Sequence, residues 1–419
     1  MLSGKYLSYW LLLGLFTETV SATIGLKWPS GNVFFSFLFF FAGLTISVLI
    51  LFFKPGRLVY PQFRDTGYLE SAGKAVMLLL LASATLYFFL QIVRENDIDV
   101  TSADMLPVIK VMNQRLLQGE WHSVYHNIPS IWNGVQPIYL PAMWIPYLPA
   151  VAFDFDMRWI TLVSLFMVFA VFLLLLRGGT KPIFNIVLLT SGLMLWWWLL
   201  LEDDMHGLVS MSEEGVVVLY MILLVLAILT DRIFPIAIAA CLCLLSRYAM
   251  IGWVPAFIAY LVMNGNMKKA GIFCITGICM LVVFFILPFG WNSLIRLLQV
   301  PGKYISFSNL VWKDNPGVFT GSLGFAKFFV PGKMKLLHYL LIALSFLVPA
   351  GFMAACMSLR KKKYICNIPL ATLKLSLVVF YNFVDVPYLY LFYTSSFVSL
   401  VSVTFLISST REQPVGQTC

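Results

Sequence analysis

Long apolar runs recur along this chain and constrain its fold more than any other feature. One of them, 33–53, contains no charged residue. A helix needs roughly 17–25 predominantly apolar residues to cross a bilayer. With 60% hydrophobic residues, 11% charged residues and a mean hydropathy of +0.89, the chain is too apolar for a water-soluble globule, a disordered chain or a secreted disulfide scaffold. The sequence therefore predicts an all-α, polytopic integral membrane protein.

The apolar runs predict about 12 transmembrane helices. Ten are continuous, at 7–26, 33–53, 75–93, 158–176, 183–201, 215–230, 270–289, 336–357, 367–383 and 386–407. The stretch 233–263 is interrupted by Ser246-Arg247-Tyr248 and is long enough for two short helices that meet there. The segment 137–153 is apolar as well, but its prolines break a regular helix. We expect it to be a juxtamembrane or re-entrant element on the outer face.

The distribution of charge predicts the orientation. With both termini inside, the inner loops carry 15 basic and four acidic residues, and the outer loops carry 11 basic and 13 acidic residues. This bias follows the positive-inside rule. It also explains the net charge of +9 without a nucleic-acid partner.

The same topology predicts three parts of the chain. An N-terminal two-helix hairpin with its cytoplasmic loop covers 1–74, a transmembrane core covers 75–407, and a cytoplasmic tail covers 408–419. The core carries three outer loops, at 94–157, 202–214 and 290–335.

The sequence gives little support for bound metals or crosslinks. The seven cysteines lie in or beside apolar segments or at the C-terminus, so we expect neither a structural disulfide nor a cysteine metal site. No cluster of ligands has zinc spacing, so a divalent metal has no support. The phosphate-binding glycine motifs of cytosolic nucleotide enzymes are absent from the sequence as well. We predict no bound cofactor, and any donor substrate would have to be membrane-borne.

Three aspartates of the first outer loop are candidate catalytic bases, namely Asp97, Asp99 and Asp104. Ser102 is a plausible N-cap for an amphipathic helix lying along the membrane surface. Asp104 would then lie in the first turn, where the helix dipole favours a carboxylate. The simpler interpretation is that these acids belong to a solvated loop and a helix start.

A second acidic group lies in the loop 202–214. Its candidate substrate-binding residues are Glu202, Asp203, Asp204 and His206. Adjacent carboxylates repel each other unless a cation or a hydrogen-bond donor is close. They could bind a substrate hydroxyl or a metal, or they could cap a helix end. Glu213 and Glu214 are more typical of a helix N-terminus.

Arg247 is the strongest single signal. An arginine inside apolar sequence is costly and usually faces a cavity or a partner, and its guanidinium could bind a phosphate bidentately. Alternatively, it is an ordinary interface arginine.

Three other charged residues lie in or next to the predicted spans. Lys374 and Asp385, in or next to the last two spans, could pair with each other, while Glu18 in the first span has no evident role.

The late outer loop mixes basic and aromatic residues. Arg296 and Lys303 could contact a phosphate, and Trp312 could stack on a sugar. The same composition suits contacts with lipid headgroups.

Together these features resemble the GT-C glycosyltransferases, which take sugars from polyprenyl-phosphate donors on the outer face of a membrane. The resemblance rests on the acids 97–104, the helix near 104–118 and the segment Gln136-Pro137-Ile138-Tyr139-Leu140-Pro141. The phrases Asp104-Met105-Leu106-Pro107 and Leu245-Ser246-Arg247-Tyr248 look like those of bacterial, mannosyltransferase-like members. The resemblance covers roughly 75–407, so the first two spans precede the helix that usually starts this fold.

The resemblance implies an inverting transferase of the bacterial inner membrane, with its site facing the periplasm. Asp104 would be the base, with Asp97 or Asp99 as the alternative. Arg247 would hold the donor phosphate, assisted by Tyr248, Arg296 and Lys303. The implied partners are a polyprenyl-phosphate sugar, membrane lipid and a glycan, glycolipid or protein acceptor.

Two other functions fit a protein of this kind. A transporter or flippase of a lipid-linked or anionic solute suits twelve spans, but the large, asymmetric outer loops and the lack of an internal repeat argue against it. An O-antigen polymerase or ligase also faces outward, but it typically relies on arginines and a histidine in a late outer loop. Here the loop 290–335 has Arg296 and no histidine.

Overall fold

The computed structural model describes residues 4–27, 32–53, 68–100, 103–132, 134–176, 180–203, 207–299, 301–359 and 365–409. Within these ranges the regular structure is helical, and no β-strand occurs. The predicted all-α class is confirmed.

The first half of the described chain contains eight α-helices: α1 (Gly4–Ala22), α2 (Asn32–Ile50), α3 (Tyr68–Glu95), α4 (Met105–Leu117), α5 (Pro141–Trp144), α6 (Leu148–Ala152), α7 (Arg158–Leu175) and α8 (Pro182–Leu201). The described part beyond residue 207 contains α9 (Glu214–Thr230), α10 (Ile233–Leu244), α11 (Trp253–Met263), α12 (Met267–Leu281), α13 (Leu287–Phe289), α14 (Trp291–Gln299), α15 (Pro301–Asp314), α16 (Gly317–Thr320), α17 (Met334–Leu359), α18 (Ile368–Phe383) and α19 (Leu391–Ser409). A π-helical segment, Val282–Ile286, joins α12 to α13.

Eight helices in the described residues are long and apolar enough to cross a membrane, which is consistent with a polytopic membrane protein. They comprise α1, α2, α3, α7, α8, the continuous α12–α13 segment, α17 and α19. Four shorter apolar helices, α9, α10, α11 and α18, coincide with the remaining predicted spans. The count of 12 spans stays a prediction.

The core is built around α19, the last described helix. The apolar window of α19 is 100% buried, whereas that of α3 is 22% buried and that of α12–α13 is 17% buried. Most apolar residues of α3 and α12 are therefore not covered by protein, as expected for helices that face lipid. Both helices of the N-terminal hairpin pack into the same core, since α1 contacts α8 and α19, and α2 contacts α18. The hairpin is thus an integral part of the packed helices.

A second apolar cluster organises the first outer loop. Helix α4 buries Ile109 and Met112 against Trp144 and Tyr147 of the proline-rich segment. Asn113 Nδ2 donates to the carbonyl oxygen of Trp144 at 3.0 Å. The segment 137–153 forms only short helical pieces with proline in their first turns, as its sequence predicts. The apolar face of α4 is therefore buried against protein.

The predicted interruption of 233–263 is confirmed. Helix α10 ends at Leu244 and α11 begins at Trp253, with a short 3₁₀ turn between them. At Gly252 a Cβ atom would lie 1.6 Å from the carbonyl oxygen of Ser345, so only glycine lets α11 approach α17 here. This contact fixes one side of the interruption that carries Arg247.

Two expectations about pairing are wrong. Lys374 does not pair with Asp385, because its Nζ donates to Glu18 Oε1 at 2.7 Å while Asp385 contacts His338 Nδ1 at 2.6 Å. Cys366 is disulfide-bonded, contrary to the expected absence of disulfides. Sequence spacing reveals neither partner: the pairing of Lys374 depends on which helices meet in space, and a disulfide depends on the distance between two Cα atoms.

Candidate functional site

Arg247 lies in the interruption between α10 and α11. Its backbone N–H donates to the carbonyl oxygen of Cys243 at 2.8 Å and ends α10, and its extended conformation turns the side chain away from the helix. The guanidinium Nη2 lies 2.9 Å from Glu213 Oε1 and 2.5 Å from Glu214 Oε2. We call these three residues the arginine cluster.

The two acids of the arginine cluster start helix α9, as their sequence position predicts. Glu213 occupies the N-cap position and Glu214 is the first helical residue. Next to them, a Cβ atom on Gly215 would lie 2.7 Å from the carbonyl oxygen of Thr161, so glycine lets α9 start deep against α7. The side chains are 2% and 0% exposed for Glu213 and Glu214, against 19% for Arg247. Burial of this kind requires the pairing that Arg247 supplies.

Two further helices hold Glu214. Its Oε1 accepts hydrogen bonds from Thr394 Oγ1 at 2.6 Å and from Tyr381 OH at 3.2 Å. Thr394 belongs to α19 and Tyr381 to α18. The arginine cluster thus joins α9, α18, α19 and the α10–α11 interruption.

Replacing Thr394 tests whether this contact matters. Thr394→Val keeps the shape but removes a donor to a buried carboxylate, so we expect the free energy of unfolding to fall by about 1.5–3 kcal/mol. Thr404→Val is the matched control on the same helix, because Thr404 Oγ1 donates only to its own helix, to the carbonyl oxygen of Leu400 at 2.7 Å. Thr404 is buried as well, but its hydroxyl bonds a neutral carbonyl of its own helix, and such a bond adds little to helix stability. The loss in Thr404→Val should therefore be clearly smaller than in Thr394→Val. The free energy of unfolding of both variants is measured by chemical denaturation in mixed micelles. Equal losses of that free energy in Thr394→Val and Thr404→Val would contradict the assigned role of Thr394.

Asp104 stands apart from the other two candidate bases. It occupies the N-cap position of α4, is half-buried and makes no side-chain cap hydrogen bond. Burial, and to a lesser extent the charge of Glu213, raise its pKa from the ordinary 3.8 to about 6. Asp97 and Asp99 are exposed. Ser102, the N-cap expected from sequence, lies outside the described residues.

Tyrosines connect Asp104 with the arginine cluster. Tyr139 interacts electrostatically with both Asp104 and Glu213, and Tyr388 interacts electrostatically with Asp104. Tyr304 and Tyr390 both interact electrostatically with Arg247 and Glu213. Tyr390 OH also lies 3.2 Å from Sδ of Met105, the residue that follows Asp104. Together this contact and the charge interactions indicate that Asp104, the arginine cluster and several phenol groups are close to one another. Such an arrangement offers a proton acceptor, a cation and hydroxyl partners for a ligand.

In the described part of the acidic loop, Glu202 and Asp203 make contacts with other protein groups. Glu202 forms a 2.5 Å ion pair with Lys27. Asp203 is buried and accepts hydrogen bonds from the backbone N–H groups of Val209 at 2.8 Å and Ser210 at 3.1 Å. Asp204 and His206 lie outside the described residues. Asp203 is therefore neither a solvated cap nor placed to bind a substrate hydroxyl, because its carboxylate is buried and holds the turn at 208–211.

The three residues predicted to bind substrate in the late outer loop make other contacts or are exposed. Arg296 is exposed on α14, and exposed Lys303 donates to Gln136 Oε1 at 3.0 Å. Trp312 packs edge-on against Phe319 with ring centroids 5.6 Å apart. Tyr248 is half-buried beside Arg247.

Sequence reasoning did not anticipate Tyr304 as a neighbour of Arg247, nor Tyr381 and Thr394 as ligands of Glu214.

No group of three or more His, Cys, Asp or Glu side chains in the described ranges is arranged to hold a metal ion. Comparison with known proteins gives no assignment: no protein family, no curated protein and no solved structure matches this chain.

Proposed function

We propose that this protein is a membrane glycosyltransferase of the GT-C type. It would move a hexosyl or pentosyl group, with inversion, from a polyprenyl-phosphate donor to a hydroxyl of a glycan, glycolipid or protein. The observation that carries the proposal is the electrostatic interaction of half-buried Asp104 with Glu213, the carboxylate that pairs with Arg247. In this proposal both termini are cytoplasmic and the site faces the periplasm of a bacterial inner membrane.

Asp104 is the proposed base. Its carboxylate takes the proton of the acceptor hydroxyl while the hydroxyl oxygen attacks the anomeric carbon. The bond from that carbon to the phosphate oxygen breaks, and the polyprenyl phosphate leaves with the bonding electrons. A pKa of about 6 suits this role, because the group is ionised at neutral pH and is more basic than an exposed aspartate.

Arg247 is the proposed phosphate ligand. Both carboxylates contact its Nη2, and its buried Nε has no hydrogen-bond partner among the described residues. A phosphate oxygen would satisfy this donor. Two ionised carboxylates would outweigh the single positive charge of Arg247. Burial raises the pKa of Glu213, which favours its neutral form and so reduces the excess negative charge beside Arg247.

Release of polyprenyl phosphate tests the function. Purified protein in lipid nanodiscs is supplied with a panel of polyprenyl-phosphate sugars, with glycan acceptors or with water alone. We expect acceptor-dependent release from at least one donor, and unchanged release in Asp97→Asn. If labelled donors bind but none is turned over, the glycosyltransferase proposal is wrong.

The pH profile gives a second test. Only ionised Asp104 can accept a proton, and its ionised fraction falls about tenfold per pH unit below the pKa. We expect kcat/KM to rise between pH 5 and 7, with an inflection near the Asp104 pKa of about 6, and to level off above. The measurement is initial release at sub-saturating donor in buffers of constant ionic strength. An inflection well below 6 would instead argue against Asp104 as the base.

One observation favours a transporter as the second candidate. Glu18 and Lys374 form an ion pair in the interior of the apolar helices, and ionisable residues in that position often line transport pathways. Proteoliposomes loaded with a labelled lipid-linked sugar would distinguish the two functions. Transbilayer movement without chemical change would support the transporter.

A further inference from the structure

The ion pair between Glu18 and Lys374 joins three helices. Glu18 lies on α1, and Lys374 lies on α18 beside Ser395 of α19. The charged side chains are 1% and 0% exposed, respectively. Such a pair needs nearly complete hydrogen bonding to be tolerated.

The pair has that hydrogen bonding. Besides Glu18, Lys374 Nζ donates to the carbonyl oxygen of Ser395 at 3.0 Å and contacts Ser395 Oγ at 2.6 Å. Ser399 Oγ donates to Glu18 Oε2 at 2.7 Å. The ammonium therefore links α18 to α19, and Glu18 connects that contact to α1.

The same two helices hold the arginine cluster. Lys374 and Tyr381 are seven residues apart on α18, which is about two helical turns, so they lie on similar sides of the helix. Ser395 directly follows Thr394 on α19. Tyr381 and Thr394 are the donors to Glu214 Oε1. A slip of α18 along α19 at Lys374 would therefore change the geometry at Glu214.

We propose that the Glu18–Lys374 ion pair positions Glu214, and through it Arg247, for the transfer reaction. This inference deepens the proposed function and rests on it. It also assigns a role to α1, which precedes the region that resembles GT-C enzymes. Glu18 and Lys374 are positioning residues, because their contacts are with the helices that hold the site.

The test compares single and double substitutions. Glu18→Met leaves Lys374 buried without its counter-ion, so this variant should unfold at a clearly lower temperature than wild type. The double variant Glu18→Met/Lys374→Met removes both charges, and apolar replacements of a buried pair are often neutral for stability. We expect the double variant to unfold near the wild-type temperature but to have a kcat lowered by about tenfold to a hundredfold, the scale of small misplacements of catalytic groups. Its KM should change much less. Thr404→Val serves as the control and should match wild type in both readouts.

A spectroscopic readout is independent of turnover. The infrared carboxyl band of Glu214, assigned by its loss in Glu214→Gln, reports the hydrogen bonds from Thr394 and Tyr381. We expect this band to shift in the double variant and to stay unchanged in Thr404→Val. An unshifted band, or a double variant with wild-type kcat, would overturn the positioning role. If the band shifts in the double variant but wild-type protein releases no polyprenyl phosphate, the positioning of Glu214 by the ion pair would stand and the glycosyltransferase proposal would be wrong.

Discussion

Asp104→Asn should lower the release of polyprenyl phosphate by about 10²–10⁴-fold, the usual contribution of a general base. The amide is nearly isosteric with the carboxylate but cannot accept the proton of an acceptor hydroxyl. Binding of the donor should change little, because Arg247 is the proposed phosphate ligand. The measurement is kcat at saturating donor, together with binding of a labelled donor.

The same substitution should leave the protein as stable as wild type, or more stable. Asp104 has a pKa of about 6 in the folded protein, against an ordinary 3.8. Its ionisation at neutral pH therefore favours the unfolded state, and asparagine removes that cost while remaining a good N-cap residue. A residue that is costly for stability but needed for activity is typical of a functional site.

Asp97→Asn is the matched control, since Asp97 lies in the same loop and is exposed. It should retain wild-type turnover and stability. If Asp104→Asn keeps full activity and Asp97→Asn loses turnover, Asp97 would be the base and Asp104 would not. Loss of folding in Asp104→Asn would point to a purely structural role.

Arg247→Met should abolish turnover and also destabilise the protein by about 3–5 kcal/mol. The reason is that Glu213 and Glu214 would remain buried without their shared cation. Arg247→Lys should recover part of the stability, because it restores the charge. It should recover less of the activity, because an ammonium cannot offer the planar fork of donors that suits a phosphate.

A triple variant separates the two effects of Arg247. In Glu213→Gln/Glu214→Gln/Arg247→Met no uncompensated charge is left, so the unfolding temperature should return towards wild type while turnover stays absent. Thermal unfolding and the release assay measure the two quantities. A triple variant that regains turnover would show that Arg247 serves only to neutralise the two glutamates.

Much of this architecture can be predicted from local sequence. The apolar runs coincide with helices, Ser246-Arg247-Tyr248 interrupts 233–263, and the prolines divide 137–153 into short pieces. Glu213 and Glu214 start a helix, as acids before an apolar run indicate. These features depend on short-range chemistry: backbone hydrogen bonding in lipid, the missing N–H of proline and the helix dipole. They need no knowledge of which segments become neighbours.

Partners could not be predicted in the same way. Lys374 is closer in sequence to Asp385 than to Glu18, yet the packing of α1 against α19 brings Glu18 to it across 356 residues. Arg247 was singled out because its charge is isolated in apolar sequence, but its two glutamates and the hydroxyls of Tyr381 and Thr394 come from distant helices. Sequence by itself thus determined the helical membrane class, the interrupted segments and the isolated charges. Only the tertiary structure decided how those charges pair and which aspartate is buried, because burial and pairing depend on long-range helix packing.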